Sequence, residues 1–98
     1  MSDTEYRVER EVTGSQGRYV IYLAPDAEAE MTFRKAENGN ITIDHTGVPP
    51  AYEGRGIAAR LVNAAIADAR AEGFKITPIC SYVVAQFRRH PEWEILRA

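Results

Sequence analysis

The chain has 98 residues, of which 45% are hydrophobic and 27% charged, and its formal net charge at pH 7 is -2. That length supports one hydrophobic core and not two, so 1–98 reads as a single domain. The slightly acidic balance excludes the broad basic surface that holds nucleic acid, and no run approaches the ~20 apolar residues of a membrane span. Cys80 is the only cysteine, which excludes an intrachain disulfide and a cysteine metal cluster. His45 and His90 lie far apart with no paired carboxylate spacing, so no metal site is expected. The opening Met1-Ser2-Asp3-Thr4-Glu5 is acidic and lacks the apolar run of a signal peptide, which makes a cytoplasmic setting the expectation. Neither a nucleophile elbow around Ser2 or Ser15 nor a phosphate-loop lysine motif is present, so a serine hydrolase and a nucleoside triphosphatase are both unsupported.

The first half has the period of strands. Tyr6, Val8, Arg10 and Val12 fall at alternate positions before a turn at Thr13-Gly14-Ser15-Gln16-Gly17. Residues 18–23 are β-branched and aromatic, and Ala24-Pro25-Asp26-Ala27 turns the chain. Residues 28–35 put Ala29, Met31 and Phe33 on one face, Glu37-Asn38-Gly39-Asn40 is a hairpin signal, and 41–48 is a fourth strand. Connections this short favour an antiparallel meander. If Ile41 and Ile43 face the core, strict alternation puts His45 on their face and Asp44 on the other.

From residue 57 the period becomes helical. Ala58, Leu61, Val62, Ala65 and Ala69 share one arc through Glu72, Arg60, Asn63, Ala67 and Arg70 lie opposite, and Gly73 suits a helix end. Residues 75–80 read as a fifth strand, in which Pro78 signals a bulge or an unpaired edge. Ser81 is positioned to cap a helix from Tyr82 to about His90, and Pro91 stops it. A strand–helix–strand unit over 41–80 predicts a right-handed crossover and a parallel pair. The expected fold is therefore α+β: a four-stranded antiparallel meander, a helix, a parallel fifth strand and a C-terminal helix.

Between the fourth strand and the long helix lies Val48-Pro49-Pro50-Ala51-Tyr52-Glu53-Gly54-Arg55-Gly56-Ile57-Ala58. Glycines let backbone approach a ligand, and the first turn of a helix carries N–H groups without internal partners at the positive end of its dipole. Phosphate or pyrophosphate is the natural guest. A strand, this loop, a long helix, a strand and a last helix together resemble the cofactor half of the GNAT superfamily of N-acetyltransferases. The usual Gln/Arg-x-x-Gly-x-Gly/Ala fingerprint has its counterpart in Glu53-Gly54-Arg55-Gly56-Ile57-Ala58. His45-Thr46-Gly47-Val48-Pro49-Pro50, Pro78-Ile79-Cys80-Ser81-Tyr82 and Arg89-His90-Pro91-Glu92-Trp93 are similar to segments of the small stand-alone GNAT-like proteins.

The resemblance implies a GNAT-like acyl-CoA N-acyltransferase fold and acetyl-CoA as co-substrate. It implies pyrophosphate on the backbone of Glu53, Gly54, Arg55, Gly56, Ile57, Ala58 and Ala59, and the pantetheine arm pairing with the fourth strand near Val48. The thioester would lie where the fourth and fifth strands splay apart, beside residues 45–48 and 79–82. An amine would attack it directly, the acceptor being a small amine, a peptide end or a lysine on a partner protein. Three departures stand out. Glu53 puts a carboxylate where glutamine or arginine is common, with Arg55 close enough in sequence to offset it; the helices that line the acceptor site in larger members are missing; and Phe87 replaces a tyrosine often found on the last helix. The rival reading is therefore a CoA-binding or protein-interaction module on the same fold, with little or no turnover.

Three side chains are catalytic candidates. Cys80 ends a strand just before a helix start, an environment that favours thiolate; it is either a nucleophile or thiolate at the acetyl group, or a small buried hydrophobe. His45 is within reach of the splay and carries the imidazole suited to taking a proton from an amine, or else it is a hydrogen-bonded structural histidine. Tyr82 either donates its hydroxyl to the thioester or anchors the helix as an aromatic.

Overall fold

The computed structural model describes residues 6–98; the acidic opening, residues 1–5, lies outside the described residues. Five strands form one sheet in sequence order: β1 (Glu9–Thr13), β2 (Gln16–Ala24), β3 (Ala27–Lys35), β4 (Ile41–Gly47) and β5 (Ile76–Pro78). The first three pairings are antiparallel and β4 with β5 is parallel. The turns fall where the glycine and asparagine signals put them. In the β3–β4 hairpin Gly39 takes φ +92°, and the Asn38 carboxamide oxygen accepts the Asn40 N–H at 3.0 Å. The 16-residue helix α1 (Ile57–Glu72) crosses one face of the sheet and ends at Gly73, whose φ of +80° lets its N–H bond to the Ala69 carbonyl at 2.8 Å.

The core lies between that helix and the sheet. Ala29, Met31 and Phe33 of β3 and Ile41 and Ile43 of β4 meet Ile57, Leu61, Val62, Ala65, Ile66 and Ala69 of α1. Ala65 and Ala69 carry no bulk beyond Cβ, so the helix can lie close to the strands. Ala58, expected on this stripe, is only half-buried and lines a cavity instead.

Three local expectations change. The first strand covers only Glu9–Thr13 and is exposed throughout, because it forms the sheet's edge; its Arg10 reaches α1, pairing with Asp68 at 3.1 Å and Glu72 at 2.9 Å. Tyr6 and Val8 pack against the core from the segment before it. The fifth strand shortens to Ile76–Pro78: Pro78, with no N–H to offer, is its last paired residue. Helix α2 (Ser81–Arg89) begins one residue early, so that Cys80 and not Ser81 occupies the N-cap, and no side chain caps it. After α2 a 3₁₀ helix, Pro91–Leu96, returns Trp93 and Leu96 to the core, with Trp93 edge-on to Phe87 at 5.5 Å between ring centroids and stacked on His90 at 4.1 Å.

Leu61 is fully buried at the centre of the α1–sheet contact. Leu61→Ala should lower unfolding stability by about 2–5 kcal/mol, read as a fall in the urea midpoint. An unchanged midpoint would mean that this contact does not hold the helix to the sheet.

Candidate functional site

Pairing between β4 and β5 stops at Ile43 and Pro78. There the Ile43 carbonyl accepts two N–H groups, from Ile79 at 3.0 Å and Cys80 at 3.1 Å. One acceptor thus closes the ladder while the chain turns away into α2. Beyond it, residues 44–47 of β4 have no strand beside them on that edge among the described residues.

On its other edge β4 is irregular at the same point. Thr32 faces His45 and Phe33 faces Ile43, so Asp44 is an extra residue in a β-bulge. The bulge resets the alternation. Asp44 stays on the outer face, where its carboxylate accepts from the Thr32 hydroxyl at 2.5 Å. His45 joins it there, exposed, and not on the face of Ile41 and Ile43 as strict alternation requires. Thr46, paired with buried Met31, turns to the helix face instead.

The glycine loop faces this open edge. A 3₁₀ turn, Pro50–Tyr52, leads to Gly54 at φ +82° and Gly56 at φ +75°, the second being the N-cap of α1. A Cβ at Gly56 would meet nothing within 4 Å, so this position needs glycine for its backbone conformation rather than for room. The first helical bond runs from the Arg60 N–H to the Gly56 carbonyl at 3.2 Å, which leaves the preceding N–H groups without helical partners, and no acidic residue stands in the first turn. Loop and open edge enclose a cavity of about 330 Å³. Glu53, Gly54, Gly56, Ile57, Ala58 and Ala59 form one wall, and Thr46, Val48, Tyr52 and Tyr82 the rest. Arg55 does not line it: its guanidinium donates to the Tyr6 hydroxyl at 3.2 Å and lies 5.1 Å from the Tyr52 ring centroid. Arg60 lies over the Tyr6 ring, so two cations flank the loop around one tyrosine.

Of the three catalytic candidates, Tyr82 lines this cleft and Cys80 adjoins it through the lining residue Thr46. Cys80 is half-buried, and its thiol lies 3.4 Å from the Thr46 hydroxyl. Burial pushes the thiol's pKa up, but the hydrogen bonds from the Thr46 hydroxyl, the backbone of Val83 and Tyr82 and the Thr46 backbone outweigh it, and the net value falls below that of an ordinary cysteine. Tyr82 lines the cavity itself, and its hydroxyl is pushed up by burial, only partly countered by Arg89. His45 stands apart, in a shallow cavity of about 280 Å³ on the outer face with Glu28, Glu30 and Val48. Val48 lines both cavities and separates them. A broader depression of about 430 Å³ on the outer face contains Glu11, Arg18, Arg34 and Asp44, but its central charges already answer one another, Arg18 bonding Glu11 and Glu30 at 2.9 Å each and Glu28 as well. Thr46 and Tyr52 were not singled out by the sequence. A bulge is invisible to a two-residue period, and Tyr52 carried no signal beyond its nearness to the loop. Phe87 is buried against Trp93, so the last helix sends no hydroxyl to the cleft from that position. Among the described residues no group of three His, Cys, Asp or Glu side chains could hold a metal, and no helix is long and apolar enough to cross a membrane.

The geometry has counterparts in known proteins. Residues 18–96 match the family model described as GCN5-related N-acetyl-transferase. The fold is similar to the solution structure of a GCN5-like candidate N-acetyltransferase from Staphylococcus aureus, with a TM-score of 0.68 and 27% identity over 92% of this chain and 87% of that one. No curated protein matches the sequence.

Because its left-handed backbone is what Gly56 contributes, Gly56→Ala should lower stability by about 1–2 kcal/mol without a steric clash. Urea unfolding measures this, and an unaltered midpoint would show that the loop relaxes to another conformation.

Proposed function

The chain belongs to the GCN5-related N-acetyltransferase family, and from that premise we propose that it binds acetyl-CoA in the cleft between the glycine loop and β4 and passes the acetyl group to an amine. The observation that carries this reading is the single cavity joining the helix start at Gly56 to the open end of β4 at Thr46 and Val48. A pyrophosphate fits the loop because the first N–H groups of α1 lack partners, the dipole is favourable and the first turn holds no carboxylate. Glu53 opposes it from the cavity wall, while Arg55 and Arg60 flank the loop with positive charge. The open main chain of residues 44–48 is the edge along which an extended arm would pair.

In the transfer, the amine nitrogen bonds to the acetyl carbon, the carbon–sulfur bond breaks and the amine gives up a proton. The chain's own contribution is orientation and charge stabilisation. Cys80 and Tyr82 stand on the cleft side of β4, where a thiol and a hydroxyl could donate to the developing charge. His45 stands on the other side of the strand end, where it could take the amine's proton. An acceptor would then approach over the uncovered outer face. The same proposal includes a reducing, cytoplasmic setting, in keeping with one cysteine and no intrachain disulfide.

One observation favours a second reading, a CoA-binding module with little turnover. The ring of Phe87 is buried in the core, so the hydroxyl common at that position in the family is missing. Two measurements decide. Acetyl-CoA and CoA, but not ATP, should raise the melting temperature, by the equivalent of about 2.7 kcal/mol at a hundredfold excess over Kd. No shift with either CoA species removes both readings. Release of free thiol from acetyl-CoA on adding peptide or polyamine pools supports the transferase; binding without release supports the module.

A further inference from the structure

We propose that Thr46 is a positioning residue for Cys80: the bulge at Asp44 turns its hydroxyl into the cleft, where it holds the cysteine sulfur against the start of α2. The inference rests on the cleft being the acetyl-CoA site proposed above, but it stands on three features of the chain itself.

The first is register. Without the extra residue Asp44, the alternation of β4 would send Thr46 to the outer face and His45 inward; with it, Thr46 lies opposite buried Met31 and lines the cleft. The second is the contact. Cys80 Sγ and Thr46 Oγ1 are 3.4 Å apart, a hydrogen bond between residues 34 positions apart in the chain, and it spans the gap between β4 and the turn into α2 at the point where strand pairing has ended. The third is the direction of the donors. Cys80 is the N-cap of α2, at the end of the helix where N–H groups lack partners, and the backbone of Tyr82 and Val83 there favours the thiolate. As a thiol, Cys80 donates to Thr46 Oγ1. As a thiolate, it accepts from the Thr46 hydroxyl and from the backbone, so the same pair serves both protonation states. Threonine suits the task because branching at Cβ leaves it few χ1 choices, and a strand position fixes them further.

The ionisable groups to weigh against the sulfur are Tyr82 and Glu53 of the cavity wall and His45 on the far side of β4. None of these is what touches it; the contacts are neutral donors. Removing one donor therefore has a directed effect. The thiolate loses a partner, and the pH at which the cysteine becomes reactive rises.

Cys80 is the only cysteine, so alkylation by iodoacetamide reports on it alone, and Cys80→Ala sets the background. The alkylation rate of the full chain is followed against pH without any cofactor. Thr46→Val and Thr46→Ala should both raise the midpoint by about one pH unit, equivalent to about tenfold slower reaction at neutral pH. Thr46→Ser, which keeps the hydroxyl, should stay near the native profile. A shift that follows the hydroxyl in all three variants is a signature that bulk and packing do not produce. The proposal is overturned if the valine and alanine profiles overlay the native one, or if serine moves as far as alanine. Repeating the reaction with acetyl-CoA separates the two claims. Protection of native Cys80 supports the cofactor reading, whereas a hydroxyl-dependent midpoint with no protection keeps Thr46 in its role and removes acetyl-CoA from the cleft.

Discussion

The Ile43 carbonyl, shared between the N–H groups of Ile79 and Cys80, is the interaction on which the site depends. Up to that atom β4 is an interior strand, paired on both sides with Ile41 and Ile43 in the core; after it, one edge of β4 is open. A parallel ladder would continue if β5 did. It does not, because Pro78 brings no donor and the next two residues give theirs to a single acceptor before turning into α2. An opening between strands normally leaves orphaned backbone groups. Here the opening coincides with a cavity, and a bound extended chain could supply the missing partners.

The bulge at Asp44 and this shared carbonyl act on the same stretch from opposite sides. The first decides which side chains face the cleft, and the second decides that there is a cleft. Their consequence is a two-sided strand end. Thr46, with Cys80 and Tyr82 nearby, belongs to the helix face; Asp44 and His45 belong to the outer face; Val48 is the wall between. Charge follows the same division. The outer face carries Glu11, Glu28 and Glu30 gathered around Arg18, a lattice that the solvent screens and that contributes little to stability. The cavity lining holds one carboxylate, Glu53, and otherwise neutral groups and backbone, with Arg55 and Arg60 flanking the loop outside it.

Much of this was legible in the chain. The meander, the long helix ended by Gly73 and the parallel pair follow from periodicity and glycine placement, which are local signals. The loop from Glu53 to Ala59 was legible too, since φ above zero at Gly54 and Gly56 is a property of glycine itself. His45 was not, and the reason is physical. Its side is set by one inserted residue in β4, and a bulge arises from pairing with β3, which no stretch of β4 encodes alone. The N-cap shifted from Ser81 to Cys80 for a similar reason: the turn is fixed by two bonds to Ile43, far back in the chain on β4, and not by a serine hydroxyl. Local chemistry named the elements, and long-range pairing assigned the faces.

That division also bears on what the site can do. A helix start, a glycine loop and an open strand edge hold a ligand through main chain, and such holding survives many changes of side chain. Group transfer asks for more, since charge that develops at one atom must meet a donor at that atom. The ring of Phe87 is tucked against Trp93 in the core and brings no hydroxyl to the cleft. The side-chain hydroxyls of the cleft wall are then Thr46 of β4, Tyr82 in the first turn of α2 and Tyr52 before the glycine loop, with the Cys80 thiol against Thr46. The shortened fifth strand matters for this reason. By ending at Pro78 it lets Cys80 start a helix beside Thr46 instead of continuing a ladder, so the feature that opens the cleft also supplies its polar groups.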